Sequence, residues 1–265
     1  MTKIYSLTLA LLLLASCDRS NTSEGELQLL LPKPLREISG LAELPDGRLL
    51  AVADEKAQVY SIDIQAQSVN KFTAFGEPAE KGDFEGIAVI DQMVYLVTSD
   101  GVIWQQSIDA PPEDFETFDT KIGKQCEVEG LAAIKEQNGL LIVCKQARKK
   151  KLNGHLVVFR WSITDKTLDT NPMILRSYAS LGLPDVNPSG LTLTADAKRL
   201  FFVAARQQYF FETTLSGDVV RQGKFPHPKT HPQTEGVVIT AENTLYLADE
   251  GDKKGGTITR YVPSF

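Results

Sequence analysis

Hydrophobic and polar positions along this chain follow one repeated order. An apolar segment after a glycine is followed by a polar turn, a second apolar segment and a third segment of alternating apolar and polar residues. Such short runs between turn residues predict β-strands, and no stretch has the periodicity of a long amphipathic helix. Aligned on the glycine, the five copies read EISGLAELPDGRLLAVADE, DFEGIAVIDQMVYLVTSD, EVEGLAAIKEQNGLLIVCKQ, NPSGLTLTADAKRLFFVAARQ and QTEGVVITAENTLYLADEGD.

The spacing of these copies predicts an all-β, five-bladed β-propeller over residues 26–265. Successive repeat glycines are 46, 44, 60 and 46 residues apart, and a four-stranded blade takes roughly 40 to 50 residues. The last copy ends after its third strand, whereas the strand-like segment ELQLLL at 26–31 precedes the first copy. We therefore expect this N-terminal strand to close the last blade and remove the open sheet edges. The alternative is an open β-sandwich whose copies resemble one another by accident.

A closed propeller would gather carboxylates around its axis, because the first strand of each blade lines the central channel. The residues before the repeat glycines would form one ring: Ser39, Glu85, Glu129, Ser189 and Glu235. Side chains two apart share a face of a strand, so a second axial ring would contain Glu37, Asp83, Glu127, Asn187 and Gln233.

Carboxylates crowded in this way require a cation among them or raised pKa values. Oxygen-only donors favour a hard cation such as Ca²⁺, so Glu85, Glu129 and Glu235 are the predicted calcium ligands. The alternative is a solvated acidic funnel whose charges pair with lysines and arginines.

The formal net charge of −6 argues against non-specific binding of nucleic acid, which requires a basic surface. We expect a monomer that binds an unidentified protein or small-molecule ligand.

The N-terminal segment predicts a lipoprotein signal peptide over residues 1–16. Lys3 precedes an apolar run at 7–15 that is too short to span a bilayer, and LASC at 14–17 has the order of a bacterial lipobox. Cys17 would carry the lipid, and residues 17–25 would form a tether between a membrane and the propeller, which would face the periplasm. Asp18 resembles a signal for retention in the inner membrane, and the outer membrane remains open. The alternative is an ordinary secretory signal with a chance cysteine.

Two further cysteines, Cys126 and Cys144, flank a predicted hairpin in a compartment that permits disulfides. They do not face each other in its simplest register, so we favour two buried free thiols over a disulfide.

A catalytic role is the alternative to binding. His231 lies four residues before Glu235, so it could act as a general base or metal partner beside Glu235. The enzyme would then be a metal-assisted lactonase, phosphoesterase or glycosidase that uses the axial carboxylates. No Gly-x-Ser-x-Gly elbow is present. The regular copies also lack long insertions that would build a substrate cleft, which favours a binding or scaffold role.

The phrases ISGLA…VADE, DFEGIA, VEGLA, PSGL and TEGV…LYLADE resemble the SdiA-regulated family, distant relatives of NHL-repeat propellers. The resemblance covers roughly residues 35 to 265 and implies a five-bladed β-propeller with bound calcium. The family often carries acidic residues at the end of the second strand in its middle blades, where this chain has Ser99-Asp100, Lys145-Gln146 and Ala205-Arg206. A calcium site that depends on those side chains would be weakened, whereas the strand-start glutamates remain. Esterase-like, phytase-related propellers contain similar phrases but are longer.

Overall fold

The computed structural model describes residues 27–252 and 255–262, and the predicted signal peptide, Cys17 and the tether lie outside these residues. Strands dominate the described part of the chain. In chain order they are β1 (Leu27–Leu30), β2 (Ile38–Glu43), β3 (Leu49–Ala53), β4 (Lys56–Asp63), β5 (Ser68–Ala74), β6 (Phe84–Ile90), β7 (Met93–Thr98), β8 (Val102–Ser107), β9 (Glu116–Asp119), β10 (Cys126–Ile134), β11 (Gly139–Ala147), β12 (His155–Ser162), β13 (Thr167–Leu168), β14 (Ile174–Ser177), β15 (Gly190–Leu193), β16 (Arg199–Ala204), β17 (Tyr209–Thr214), β18 (Val219–Lys224), β19 (Thr234–Ile239), β20 (Leu245–Asp249) and β21 (Thr257–Tyr261).

The only helical elements within those residues are single 3₁₀ turns in the connections. They cover Lys33–Leu35, Ile122–Lys124, Lys135–Gln137, Lys150–Leu152, Ala179–Leu181, Ala205–Gln207 and Pro228–Thr230. Across the part of the chain that the structure describes, no helix has the length and apolar character needed to cross a membrane.

The strands form five antiparallel sheets, which confirms the predicted all-β, five-bladed propeller. The first four blades are β2 to β5, β6 to β9, β10 to β14 and β15 to β18, each running outward in chain order. In the third blade, β13 and β14 both pair with β12, so the outer position is shared by two short strands. This split strand and the turn at Lys150–Leu152 account for the 60-residue repeat step.

The fifth blade consists of β19, β20 and β21, and its outermost strand is β1. The two outer strands are antiparallel, with Leu27 opposite Arg260 and Leu30 opposite Thr257. The chain then passes through the turn at Lys33–Leu35 into the innermost strand of the first blade. The start and the end of the described chain therefore lie in the same sheet.

The hydrophobic core of the described residues is divided into five clusters, one between each pair of neighbouring blades. Each cluster combines apolar side chains from two adjacent sheets, and the cluster around Leu35 and Ile38 joins the fifth blade to the first. The inner strands β2, β6, β10, β15 and β19 also contact one another in sequence, and β19 returns to β2. The ring is thus closed by packing as well as by strand pairing.

Close approach of these inner strands explains the repeat glycine. A Cβ atom at Gly86 would lie 2.6 Å from the backbone nitrogen of Leu131 in the next blade, and one at Gly190 would lie 2.3 Å from the carbonyl oxygen of Glu235. Both distances are shorter than any normal contact, and the atoms that would be hit belong to the backbone. The glycine is therefore a requirement of packing around the axis.

The expectation of two free thiols is wrong, because Cys126 and Cys144 form a disulfide with their Cα atoms 5.7 Å apart. An unbroken register between β10 and β11 would place Cys144 opposite Glu129, on the other face from Cys126. Register shifts around Val128 instead place Cys144 opposite Val128. Residues two apart share a face of a strand, so the shift by one residue brings both sulfur atoms to the same side.

Candidate functional site

The three glutamates that precede repeat glycines meet at the propeller axis. Glu85, Glu129 and Glu235 each offer a carboxylate oxygen, and these oxygens lie within 4.8 Å of one another. Glu129 is only 3 % exposed, and the other two are partly buried. Among the residues that the structure describes, this is the only such group of three or more acidic, cysteine or histidine side chains. We call these residues the axial glutamates.

Local β-bulges coincide with this ring. The ladder skips a residue between Ile38 and Gly40, between Phe84 and Gly86, and between Thr234 and Gly236, and it is irregular at the same place in β10. The residue before the glycine is therefore the one unpaired residue of the bulge in β2, β6 and β19, whereas in β10 both Glu129 and Gly130 lack a ladder partner. A bulge bends the strand and changes the direction of a side chain, so the same local feature recurs wherever an axial glutamate stands.

The axial glutamates share one nearby cation. Lys145, at the end of β11, donates from Nζ to Oε1 of Glu129 at 2.6 Å, and its side chain is mostly buried. The attraction lowers the pKa values of Glu129 and Glu235 but does not offset burial. One lysine therefore faces three carboxylates, and the cluster carries an excess of negative charge whenever all three ionise.

The pKa values of the axial glutamates reflect their burial and this excess of negative charge. Burial, followed by repulsion from Glu129, raises the pKa of Glu85 to about 10. Burial, followed by repulsion from Glu250, raises that of Glu235 to about 8, and burial raises the pKa of Glu129 to about 7. Glu85 and Glu235 thus hold protons at neutral pH unless a cation takes the place of those protons.

A serine hydroxyl adds a separate observation. Ser39 is 3 % exposed, and its Oγ is buried without a hydrogen-bond partner in the structure. Ser39 lines a cavity of ≈ 10 Å³ together with Glu85 and Glu235. A buried hydroxyl without a hydrogen-bond partner lowers the stability of the fold. The Ser39 oxygen therefore indicates a place for a small species that interacts with a hydroxyl oxygen, either a cation or a water molecule.

The predicted second ring does not join the cluster but surrounds it at the rim where the inner strands begin, here called the strand-start rim. Glu37 pairs with Arg36 at 2.7 Å, and exposed Asp83 accepts a hydrogen bond from the Ser99 hydroxyl. Glu127 is partly buried and raises the pKa of Glu129. The amide of Asn187 donates to the Lys145 carbonyl at 3.3 Å, and that of Gln233 donates to Glu250.

His231, the candidate general base, does not face the axial channel. Its ring is fully buried, with Nδ1 2.8 Å from Oδ2 of Asp249 and Nε2 2.5 Å from the hydroxyl of Tyr261. Asp249 also accepts a hydrogen bond from the Thr234 hydroxyl at 2.7 Å. Both ring nitrogens are therefore engaged inside the fifth blade, where the network links the segment before β19 to β20 and β21.

Neither a protein-family model nor a curated protein matches the chain. Solved β-propeller structures do match its fold. A chain of a nidogen–laminin complex has a TM-score of 0.53 and 15 % identity, with 83 % of this chain and 74 % of that chain covered. A luciferin-regenerating enzyme has a TM-score of 0.52 and 11 % identity, with 89 % of this chain and 95 % of that chain covered. A PQQ-bound aldose sugar dehydrogenase from Streptomyces coelicolor has a TM-score of 0.50 and 14 % identity, with 89 % of this chain and 98 % of that chain covered. At these identities the likeness shows the fold alone.

Proposed function

We propose that this protein is a membrane-anchored binding or scaffold propeller of the bacterial cell envelope, with a calcium ion held by the axial glutamates. The observation that carries the proposal is the convergence of Glu85, Glu129 and Glu235, with ligand oxygens within 4.8 Å of one another and a single lysine beside them. A cation removes both the mutual repulsion and the cost of protonating buried carboxyls.

Calcium fits this donor set better than a transition metal does. The cluster offers only oxygen atoms, and Ca²⁺ takes six to eight oxygen ligands in flexible geometry. The unpaired hydroxyl of Ser39 supports a ligand at this position. The resemblance to the SdiA-regulated family, for which bound calcium is described, points to the same ion. Lys145 competes for Glu129, so calcium binding would displace or shift this ion pair.

Two observations support an exported protein whose site faces away from a membrane. The Cys126–Cys144 disulfide suits an oxidising compartment such as the periplasm. The described chain also begins at Leu27, opposite Arg260 near the end of β21, and thus at the rim opposite the strand-start rim. A tether over residues 17–25, at most ~30 Å long when extended, would therefore leave from the face that does not carry the glutamates.

The hydrolase alternative draws no support from His231, because both of its ring nitrogens lie within hydrogen-bond distance of groups in the fifth blade. The similar folds include enzymes as well as a complex between binding proteins, so the fold does not decide between these classes. We therefore favour binding over catalysis.

The calcium proposal is tested on the purified full chain by elemental analysis and by calorimetry in calcium or chelator. We expect close to one calcium per chain and a melting temperature that falls by several degrees on chelation. Glu235→Gln should abolish this fall, whereas Glu113→Gln, which changes an exposed glutamate, should not. A metal-free chain whose melting temperature ignores both calcium and chelator would refute the site.

The anchor is tested separately with Cys17→Ser. We expect the variant to lose incorporation of radiolabelled palmitate and to leave the membrane fraction after cell lysis. Unchanged labelling and unchanged membrane association would refute lipidation at this cysteine and leave the calcium proposal unaffected.

A further inference from the structure

A second cavity opens at the strand-start rim directly beside the axial glutamates. Its volume is ≈ 320 Å³, which lies within the range of small-molecule sites. The polar residues that line it are Lys145, Asn187, Ser189, Arg206, Gln233 and Glu235. It therefore shares Glu235 with the axial cluster and Lys145 with the ion pair to Glu129.

Most polar groups in this cavity are already bonded within the protein. The Ser189 hydroxyl donates to the Thr234 carbonyl at 2.7 Å. The amide of Asn187 donates to the Lys145 carbonyl, and that of Gln233 donates to Glu250. These side chains shape the walls of the cavity but have little donor capacity left for a ligand.

Arg206 is the exception. Its side chain is exposed, and no carboxylate among the described residues lies within ion-pair distance of it. Its backbone is nevertheless held firmly, because it belongs to the turn Ala205–Gln207, where Ala205 N–H donates to the Ser189 hydroxyl at 3.0 Å and Gln207 donates to Asn187 at 3.1 Å. A guanidinium offers five N–H donors in a planar fork that matches carboxylate or phosphate oxygens.

The two sides of the strand-start rim carry opposite charge. Near the first and fifth blades the rim carries the acids Glu37, Asp54, Glu55 and Glu250, together with the cations Lys33, Arg36 and Lys56. Near the third blade it carries Glu127, the ion pair of Lys121 with Asp119, and a larger cationic set, Lys124, Arg148, Lys149, Lys150 and Lys151. Arg148 and Lys149 are held there by their backbone N–H groups, which both donate to the Gln125 carbonyl. This asymmetry attracts an anion toward the side of the rim where Lys145 and Arg206 lie.

We infer that this cavity binds the oxyanion group of a small molecule, a carboxylate or a phosphate, between Arg206, Lys145 and the axial cation. The inference rests on the proposed calcium ion, because without that ion the excess negative charge of the axial glutamates opposes an anion. Arg206 and Lys145 place two cationic groups of N–H donors on this cavity, so once the axial cation neutralises Glu235 the site favours acceptor groups. The end of the second strand carries Asp54-Glu55, Ser99-Asp100 and Asp249-Glu250 in the first, second and fifth blades. In the third and fourth blades the same place carries the cations Lys145 and Arg206.

The test uses calcium-loaded full chain and isothermal titration with methyl phosphate and with acetate at constant ionic strength. Methylammonium serves as the cationic control. We expect at least one oxyanion to bind, methylammonium not to bind, and chelation of calcium to weaken the oxyanion about tenfold or more. Tighter methyl phosphate assigns the site to phosphates, and tighter acetate assigns it to carboxylates.

Variants on the fourth blade locate the binding. Arg206→Gln should weaken the oxyanion about tenfold, and Arg206→Lys should recover only part of the affinity because it keeps the charge and loses the fork. Lys198→Gln, an exposed cation in the turn at the opposite end of the same blade, should have no effect. The circular dichroism spectra of all variants should match that of the parent chain, since both side chains are exposed.

The failures of the two proposals are distinguishable. Absence of bound calcium by elemental analysis would overturn both. Bound calcium combined with no oxyanion binding, or with equal binding by the parent chain and Arg206→Gln, would overturn the oxyanion site and leave the calcium site intact.

Discussion

Replacement of Glu85 by glutamine should stabilise the metal-free protein, because burial and the neighbouring carboxylates oppose the ionisation of Glu85. Two ionised carboxylates within 4.8 Å repel by about 3.5 kcal/mol at an effective dielectric constant of ~20. Burial and the neighbouring Glu129 raise the pKa of Glu85 to about 10 from 4.5. At pH 7.5 this carboxyl is therefore protonated in the folded protein and ionised in the unfolded chain.

The size and sign of the effect follow from this difference in pKa. A carboxyl whose pKa is higher in the folded state favours the fold fully below its unfolded pKa, and this contribution is lost as the pH rises toward the folded pKa. The loss is about 1.4 kcal/mol per pH unit, hence at most about 4 kcal/mol at pH 7.5 and less than about 1 kcal/mol at pH 5. Glutamine resembles the protonated carboxyl in shape and does not carry this cost.

Calcium should reduce the advantage of the variant. The parent chain gains about 2.7 kcal/mol at a calcium concentration of 100 times the Kd, whereas Glu85→Gln lacks one ligand and should gain little. The assay is urea unfolding followed by circular dichroism at pH 5 and pH 7.5, in chelator and in calcium, with Glu113→Gln as the control. A variant less stable than the parent chain in chelator at pH 7.5 would refute the crowding argument. Equal calcium stabilisation of both chains would refute the ligand role of Glu85.

Two further changes test the fold that positions the site. Gly190→Ala should lower the free energy of unfolding by more than about 2 kcal/mol and weaken calcium binding, because the added Cβ would lie 2.3 Å from the Glu235 carbonyl oxygen. The control is Gly223→Ala, which should have a small effect because its Cβ would meet only the edge of the Phe210 ring at 3.3 Å. Denaturation of the double variant Cys126→Ser, Cys144→Ser should show a loss of about 3 kcal/mol, because the disulfide closes a loop with a sequence separation of 18; a loss below about 1 kcal/mol would contradict this.

The arrangement of blades could be predicted from the chain because its signals are local. The segment LLAVA predicts the second strand of the first blade, and the structure has β3 at Leu49–Ala53. Turn residues and alternating polarity need no information from distant parts of the chain. The repetition of this order at blade length then indicates the number of sheets.

The position of two side chains could not be inferred from the chain, because sequence separation does not give side-chain direction. The thiols of Cys126 and Cys144 would point to opposite faces in a regular ladder, but a register shift near Val128 brings them together. His231 is close to Glu235 along the chain, yet its ring turns into the fifth blade toward Asp249. A bulge or a change of direction by one residue is sufficient to move a side chain to the other face.

The sequence by itself determined the strands, the number of blades and the residue before each repeat glycine, because these follow from polarity and spacing. Only the tertiary structure decided that Glu85, Glu129 and Glu235 meet, that Lys145 joins Glu129, and that Ser39 is left without a partner. The steps between these glutamates are 44 residues or more. Their oxygens come together only because five sheets close around one axis, and the local bulges and glycines allow the inner strands to approach at that point.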